Sequence, residues 1–219
     1  MRAGPKWGRR ENSMKVLLLN GSPHACGCTN RALREIADTL AQEGIESEIF
    51  WLGAKPVGGC VGCGACGKTG KCVFEGGVNE FVEKARGAAG FIFGSPVHYA
   101  SASGSITGFL DRAFYSGSDA FRGKPGAAVV SARRAGTTAA FDQLNKYFGI
   151  CQMPVVSANY WNMVHGATAQ DVEQDLEGLQ TMRVLARNMA WLLRCIEAGR
   201  VAGVQPPRQE EKQKTNFIR

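Results

Sequence analysis

The sequence lacks any apolar run long enough to cross a membrane. A bilayer core requires about 20 consecutive apolar residues, and unbroken runs such as Val16 to Leu19 are far shorter. The basic stretch at residues 1–13 is not followed by the apolar segment of a secretory signal. We therefore expect a cytoplasmic protein without a membrane partner, in which residues 1–13 form a disordered extension.

Net positive charge is also scarce in the body of the chain, although the whole chain has a net charge of +7. Residues 1–13 carry four basic side chains and one acidic one, and residues 200–219 carry five basic and two acidic ones. Each terminal segment thus has a net charge of +3, which leaves about +1 for everything between them. Because nucleic-acid binding requires a basic face on the folded domain, we predict no nucleic-acid partner.

Two common nucleotide-phosphate motifs are missing from the segment where a phosphate site is expected. Residues 14–30 combine a short apolar strand, a Gly-Ser-Pro turn and the start of an amphipathic helix that we expect to be capped by Thr29 and Asn30. Backbone N–H groups and the helix dipole attract a phosphate at such a turn. The turn has neither the lysine of a P-loop nor the G-x-G-x-x-G spacing of dinucleotide folds.

Hydroxyl and amide donors around one terminal phosphate therefore remain, and this arrangement suits FMN. The alternative is an ordinary strand-to-helix turn of some other open α/β protein. The cofactor-binding residues predicted in this loop are Ser22, His24, Cys28, Thr29 and Asn30.

Apolar segments and helical segments alternate along residues 14–199, and 44% of the chain is hydrophobic. This alternation predicts one α/β domain with a doubly wound parallel sheet, a cysteine-rich insertion at 58–77 and a C-terminal tail at 200–219. The predicted strands are 16–19, 46–52, 90–94, 126–131 and 153–157. The predicted helices lie between Asn30 and Gly44 and at 78–86, 103–115, 138–150 and 170–198.

Four of the eight cysteines follow the spacing C-x2-C-x2-C-x5-C, at Cys60, Cys63, Cys66 and Cys72, with glycines between them. Without a secretory signal, structural disulfides are not expected. Bacterial ferredoxins use a similar compact run for iron–sulfur clusters, whereas zinc generally takes two C-x2-C pairs that lie far apart. A [4Fe–4S] cluster, redox-active or structural thiols, and another metal such as zinc are the candidates. Cys195 lies on an apolar helix face and is predicted to be core.

Two more loops follow predicted strands, at the edge where open α/β sheets bind ligands. The third strand leads into Ser95-Pro-Val-His-Tyr-Ala100, and the fourth leads into a loop with Arg133 and Arg134. The first loop is either a packed aromatic turn or the wall of a ligand site. The arginines are either a solvated surface pair or an anion clamp. The histidines of the chain, His24, His98 and His165, all fall on loops at this edge.

Together these loops resemble the NADPH-dependent FMN reductase family of flavodoxin-like proteins. Ser22, Thr29 and Asn30 match its first loop, roughly N-G-S-P-R-x-x-G-x-T, while His24 stands where the family has arginine. The resemblance implies a flavodoxin-like, five-stranded parallel sheet of order 2-1-3-4-5, bound FMN, NAD(P)H as co-substrate, and a homodimer or homotetramer.

The resemblance also implies roles for the other two loops. The family segment G-S-P-V-x-Y matches here and places Pro96, Val97, His98 and Tyr99 against the isoalloxazine ring. The family segment S-x-R-R-x-G-T-T implies arginines near N1 and O2 of the reduced flavin, or one arginine on the NADPH phosphates. The cofactor-binding residues predicted in these loops are Ser95, Pro96, Val97, His98, Tyr99, Ser131, Arg133, Arg134 and Gly136.

The cysteine run is similar to two branches of this family. Iron–sulfur flavoproteins carry C-x2-C-x2-C-x(4–7)-C and bind a [4Fe–4S] cluster beside FMN, and other reductases keep a related segment with no established cluster. Three functions follow as hypotheses. The first is an FMN-dependent oxidoreductase that transfers electrons from NAD(P)H to flavin, quinone or another small acceptor. The second is an iron–sulfur flavoprotein that accepts electrons from ferredoxin. The third is a non-catalytic flavin- or zinc-binding regulatory protein. No catalytic nucleophile is identified.

Overall fold

The computed structural model describes residues 14–211 together with Gln213, Thr215 and Phe217. The extension predicted at 1–13 lies outside the described residues, and the tail predicted at 200–219 is described only in part. Among the described residues, no helix has both the length and the apolar character needed to span a membrane.

A parallel sheet of five strands organises the fold, and a short sixth strand pairs antiparallel with one of them. The strands are β1 Lys15–Asn20, β2 Glu46–Trp51, β3 Gly90–His98, β4 Ser101–Ala102, β5 Gly126–Ala132 and β6 Met163–His165. The sheet order is β2-β1-β3-β5-β6, with β4 beside the end of β3. Counted over the parallel strands alone, this is the predicted order 2-1-3-4-5, which is therefore confirmed.

Helices cover both faces of the sheet, as the buried apolar strands require. The helices are α1 Cys28–Gln42, α2 Ala65–Thr69, α3 Val78–Gly87, α4 Gly104–Gly117, α5 Thr137–Ile150, α6 Ala169–Val172 and α7 Leu176–Val201. Helices α3, α4 and α5 pack on one face around a phenylalanine-rich core, and α1 and α7 pack on the other. The carboxyl ends of the strands are thus left open to loops at one edge.

The fifth strand lies later in the chain than the sequence predicts. The predicted segment, 153–157, touches the sheet only at an isolated bridge between Val155 and Gly126. Pro154 has no N–H to donate and Val155 is 49% exposed, so the segment cannot pair along its length. Regular pairing begins only at β6, which runs beside Val130 to Ala132.

The last predicted helix, 170–198, is two helices. Thr168 and Asp171 form a capping box at the start of α6, and Asp175 then caps α7 by accepting a hydrogen bond from the Gly178 N–H at 2.9 Å. The apolar spacing places Leu176 on the buried face of the predicted helix, but in the structure this side chain is 74% exposed. Cys195 is also exposed rather than core, because it lies on the solvent side of α7.

Candidate functional site

The loops after β1, β3, β5 and β6 lie at the carboxyl edge of the sheet, where the sequence predicts the site. All three histidines lie there, as expected. His24 is in the loop after β1, and His98 and His165 end β3 and β6. His24 and His98 are exposed, whereas His165 is partly buried with its Nδ1 3.8 Å from the Asp175 carboxylate.

The first loop is held by side chains from its own turn. The Asn20 Oδ1 accepts a hydrogen bond from the Ser22 N–H at 3.0 Å, and the Ser22 Oγ accepts one from the His24 N–H at 3.1 Å. Helix α1 begins at Cys28, with Gly27 at its N-cap and no side-chain cap. The uncapped N–H groups of its first turn form the kind of anion site that a phosphate occupies.

The predicted cap at Thr29 and Asn30 is wrong because Thr29 already lies inside the helix and turns towards the sheet. Its Oγ1 lies 2.8 Å from the Ser131 Oγ, and both residues are buried. This hydrogen bond ties the first turn of α1 to the end of β5. Two predicted residues from distant parts of the sequence are thereby brought together.

The predicted residue Cys28 takes a different partner. Its Sγ donates to the Gly166 carbonyl at 3.4 Å. Burial raises the pKa of the Cys28 thiol, and the Asp171 carboxylate raises it further, although a hydrogen bond from the backbone acts in the opposite direction. The thiol therefore stays protonated at neutral pH, and what Cys28 can offer an anion is its backbone N–H.

Ser103, which sequence reasoning missed, joins the first loop to the second. Its Oγ donates to the Gly21 carbonyl at 2.9 Å, and its N–H donates to the Ser95 Oγ at 2.9 Å. The Ser95 Oγ in turn donates to the Pro96 carbonyl at 2.8 Å. Ser95 is therefore a fully buried brace of the site, and the start of α4 is fixed against both loops.

The sequence predicts an irregular second loop, but in the structure this segment extends β3. The strand continues through Pro96 and Val97 to His98 and turns back into β4. Tyr99 and Ala100 make the turn with φ values of 50° and 57°. Two successive non-glycine residues in this left-handed region are strained, a feature that often marks functional sites. The Tyr99 side chain is fully exposed.

The third loop packs against this turn at Gly136. A Cβ at Gly136 would lie 2.7 Å from the Ala100 Cα, and its φ of +91° also disfavours any other residue. Arg133 and Arg134 are exposed. Neither guanidinium has a hydrogen bond or an ion pair with any residue that the structure describes. Both are therefore free to meet an anion.

Three further residues support these loops and were not predicted. The Trp51 Nε1 donates to the Ser22 carbonyl at 2.8 Å, and the Gln143 Oε1 accepts from the Ala102 N–H at 3.0 Å. The Asn20 Nδ2 is buried and has no acceptor among the described residues. Asn20 could have been found as a polar residue that directly follows a buried strand, whereas the other two carry no such local signal.

The four cysteines of the predicted metal site border one cavity. It is lined by Cys60, Cys63, Cys66 and Cys72 with apolar and polar neighbours from α4 and the segment itself. Helix α2 lies between two left-handed glycines, Gly64 and Gly70, each with a φ of 71°. These glycines allow the backbone to curl around the cavity, as the sequence predicts.

The sulfur atoms surround this cavity without converging. Within the described part of the chain, no three His, Cys, Asp or Glu side chains stand close enough to share one metal ion. The cavity has a volume of about 20 Å³, which is room for little more than one water molecule. The donor set has the right chemistry for an iron–sulfur cluster, and the cysteine segment would have to move outward to admit one.

A buried arginine from α4 closes the cavity. Arg112 is 4% exposed, and its Nε donates to the Cys72 Sγ at 3.3 Å. Its terminal nitrogens donate to backbone carbonyls at both ends of the cysteine segment, at Gly58, Phe74 and Glu75. The sequence analysis did not predict Arg112. The signal that could have found it is a charged residue three positions after the buried Phe109, on the same face of α4.

Comparisons with known proteins agree with this architecture. The family model described as NADPH-dependent FMN reductase matches residues 14–168. An iron–sulfur flavoprotein of Methanocaldococcus jannaschii is 33% identical over 193 residues, which cover 84% of this chain and 100% of that protein. An iron–sulfur flavoprotein of Methanosarcina thermophila is 26% identical, with coverages of 85% and 99%.

Solved structures show the same fold. A flavodoxin, WrbA-like protein from Agrobacterium tumefaciens has a TM-score of 0.59 at 14% identity, covering 84% of this chain and 99% of that one. An NAD(P)H:quinone oxidoreductase from Methanothermobacter marburgensis has a TM-score of 0.62 at 18% identity, with coverages of 81% and 97%. The doubly wound, flavodoxin-like fold predicted from the sequence is therefore confirmed.

Proposed function

Because this chain belongs to the NADPH-dependent FMN reductase family and is a flavin oxidoreductase, we propose that it works as an iron–sulfur flavoprotein. In this proposal electrons pass between FMN at the carboxyl edge of the sheet and a [4Fe–4S] cluster on Cys60, Cys63, Cys66 and Cys72. The observation that carries the proposal is the arrangement of these four thiols around one cavity. The names of the curated relatives, which are iron–sulfur flavoproteins, support it.

The first loop would hold the FMN phosphate. The first-turn N–H groups of α1, including those of Cys28, Thr29 and Asn30, have no side-chain cap, and Ser22 supplies a hydroxyl in the same turn. His24 stands exposed at the rim. The loop would thus anchor the phosphate mainly by backbone donors.

The other two loops would hold the ring. FMN, when bound, supplies the electron-accepting chemistry. Pro96 to Tyr99 would form a stiff wall on one side, and Gly136 would keep the third loop close to that wall. The unpaired guanidinium groups of Arg133 and Arg134 would offset the negative charge of the reduced ring, or would bind the phosphates of a nucleotide donor.

One helix connects the two proposed sites. We call the loops after β1, β3 and β5 the flavin loops. Ser103 at the start of α4 bonds to the first two of them, and Arg112 on the same helix lines the cysteine cavity. Nine residues separate them, and a helix rises about 1.5 Å per residue, so they lie roughly 14 Å apart along its axis. This short separation favours electron transfer between the two centres.

Two electron donors are candidates. Ferredoxin would deliver electrons through the cluster, and the exposed cysteines Cys60 and Cys63 are accessible to such a protein. NAD(P)H would reduce the flavin directly, as the family description suggests, with a small acceptor such as a flavin or quinone. The family's reductase description favours a catalytic role over the third hypothesis, a non-catalytic regulatory protein.

The proposal also includes a cytoplasmic location, since unpaired cysteines persist in reducing compartments. A homodimer or homotetramer, implied by the family resemblance, remains a prediction that analytical ultracentrifugation of the FMN-loaded protein would test.

The donor can be identified by anaerobic reduction of the flavin followed at its visible absorption. Wild-type protein and Cys63→Ser would each be mixed with reduced ferredoxin, NADH or NADPH. We expect ferredoxin to reduce the flavin of wild-type protein and not that of Cys63→Ser. Equal reduction of both proteins by NADPH, with no response to ferredoxin in either, would instead favour the NAD(P)H-dependent reductase.

A further inference from the structure

Arg112 is buried without a charged partner. Its side chain is on α4 beneath the cysteine segment and is 4% exposed. Every hydrogen bond that it donates goes to a carbonyl oxygen or to the Cys72 sulfur. No carboxylate of the described residues lies within ion-pair distance of it. A buried charge with no counter-charge is costly, and proteins retain such charges where a partner of opposite sign completes the site.

The candidate partner is the group of four thiols beside it. Neutral thiols would offset little of the Arg112 charge, but thiolates bound to iron carry negative charge into the same cavity. The Nε–H of Arg112 already lies 3.3 Å from the Cys72 Sγ, which is within reach for an N–H···S hydrogen bond. Such bonds to ligand sulfurs are among the features that set cluster potentials.

The guanidinium also anchors the two ends of the cysteine segment. It donates to the Gly58 carbonyl before the first cysteine, and to the Phe74 and Glu75 carbonyls after the last one. The two ends of the segment are thus held to one side chain on α4. Nearby, a Cβ at Gly108 would lie 3.1 Å from the Gly59 Cα, so the helix and the segment are in close backbone contact.

From these observations we propose that Arg112 is the built-in counter-ion of an iron–sulfur cluster on Cys60, Cys63, Cys66 and Cys72. It neutralises part of the negative charge of the cluster, donates a hydrogen bond to the Cys72 ligand and holds both ends of the segment. Arg112 is a positioning residue that raises the cluster's reduction potential and slows the loss of iron. This inference rests on the proposed function, since it requires the cluster.

Lys71 provides a matched control for charge. It is adjacent to Cys72 in the chain, but it is exposed, and water and salt screen an exposed charge. Removing Lys71 deletes the same unit charge near the same ligand without touching the cavity. A general effect of net charge would appear in both variants, whereas a buried counter-ion acts only through Arg112.

The test compares wild-type protein, Arg112→Gln, Arg112→Lys and Lys71→Gln after anaerobic reconstitution with iron and sulfide. Iron and FMN contents, the cluster midpoint potential by redox titration with electron paramagnetic resonance, and the rate of iron loss to a chelator would be measured. In Arg112→Gln we expect a more negative midpoint potential and iron loss about 10- to 100-fold faster. Arg112→Lys should lie between it and wild-type protein, and Lys71→Gln should match wild-type protein.

Folding is read separately, from the FMN content and far-ultraviolet circular dichroism of each protein before iron is added. If Arg112→Gln does not fold, Arg112→Lys carries the test, because lysine keeps the charge and loses the Nε–H···S bond. A wild-type midpoint potential and iron-loss rate in a folded Arg112 variant would overturn the inference alone. Wild-type protein that takes up no iron would overturn the cluster site and the inference together.

Discussion

The flavin loops and the cysteine segment contrast in how their residues are held. In the flavin loops, buried groups form hydrogen bonds between separate elements. The Thr29 hydroxyl of α1 bonds to the Ser131 hydroxyl of β5, and the Ser103 N–H at the start of α4 donates to the Ser95 Oγ of β3. The cysteine segment is largely exposed, has one short helix and is held mainly by Arg112 and Asn79. Under the proposed function, the fold itself completes the flavin site, whereas a bound cluster completes the cysteine site.

Strain is distributed in the same unequal way. The flavin side contains a strained turn at Tyr99 and Ala100, which its neighbours hold in place through the contact at Gly136. In the cysteine segment, left-handed positions such as Gly62 and Gly64 are glycines with nothing within 4 Å of a would-be Cβ. A rigid scaffold can store strain, and an open segment built on glycine can move.

The largest expected effect is the loss of iron from the cysteine segment without any loss of FMN. Cys66→Ser removes one of the four proposed cluster ligands, so we expect it to lose nearly all iron and to retain FMN. Cys195→Ser is the control, since Cys195 is exposed on α7 outside the segment. Iron, acid-labile sulfide and FMN analysis of anaerobically purified proteins makes the comparison. Loss of FMN together with iron in Cys66→Ser would show that the two sites are not independent.

Gly136→Ala tests the scaffold of the flavin site. The new methyl group would meet the Ala100 backbone at 2.7 Å at a residue with a φ of +91°. We expect a loss of about 1–3 kcal/mol in unfolding free energy, with weaker FMN binding and normal iron content. Urea unfolding and fluorescence titration with FMN measure both effects. Gly149→Ala, which meets nothing within 4 Å in α5, should be neutral or slightly stabilising.

Thr29→Val probes one bond of the flavin site. It leaves the buried Ser131 hydroxyl without its partner at 2.8 Å, and an unsatisfied buried hydroxyl costs about 1–3 kcal/mol. Isothermal titration with FMN and urea unfolding should both detect the loss in Thr29→Val. Thr138→Val, which changes an exposed threonine, is the control and should leave both FMN affinity and stability unchanged. Unchanged FMN affinity in Thr29→Val would mean that this bond does not position the phosphate loop.

The smallest expected effect concerns acid stability of the scaffold between α1 and α7. Burial alone would raise the pKa of Glu35, but hydrogen bonds and charges from Arg183 and Arg31 outweigh it and lower that pKa below its usual value. Ionised Glu35 therefore contributes stability above the pKa of the unfolded chain, and this contribution disappears as the pH falls through the folded pKa.

Glu35→Gln should accordingly cost about 1 kcal/mol or less at pH 7, and the difference from wild-type protein should shrink in acid. Urea unfolding between pH 7 and pH 3 measures this trend, and Glu177→Gln, an exposed residue at the start of α7, serves as control. A difference that stays constant down to pH 3 would contradict the assigned role of the Glu35 carboxylate.

Local patterns in the sequence predicted a polar turn after β1 because the groups that hold this turn lie close together in the chain. Asn20, Ser22 and His24 bond within one turn, and the apolar run before them is a buried strand. Ser103 and Trp51 escaped prediction because their contacts with this loop join residues far apart in sequence. Such contacts follow from the packing of α4 and β2 and not from any local pattern.

The cysteine segment shows the same limit. The spacing from Cys60 to Cys72 predicted a metal site, which stays a prediction, and the structure places these four cysteines around one cavity. The spacing could not predict Arg112, which reaches Cys72 from forty residues further along the chain. The prediction of the fifth strand at 153–157 was wrong because this apolar run resembles a strand, whereas Pro154 prevents regular pairing.

Hydrogen–deuterium exchange of the FMN-loaded protein, measured before and after anaerobic cluster reconstitution, tests most directly how the two sites differ. We predict that amides in residues 58–77 exchange rapidly without iron and become protected with it, because the cluster orders an open segment. Residues 20–30 should be protected in both states. Equal protection of residues 58–77 with and without bound iron would contradict the view that a ligand completes this site.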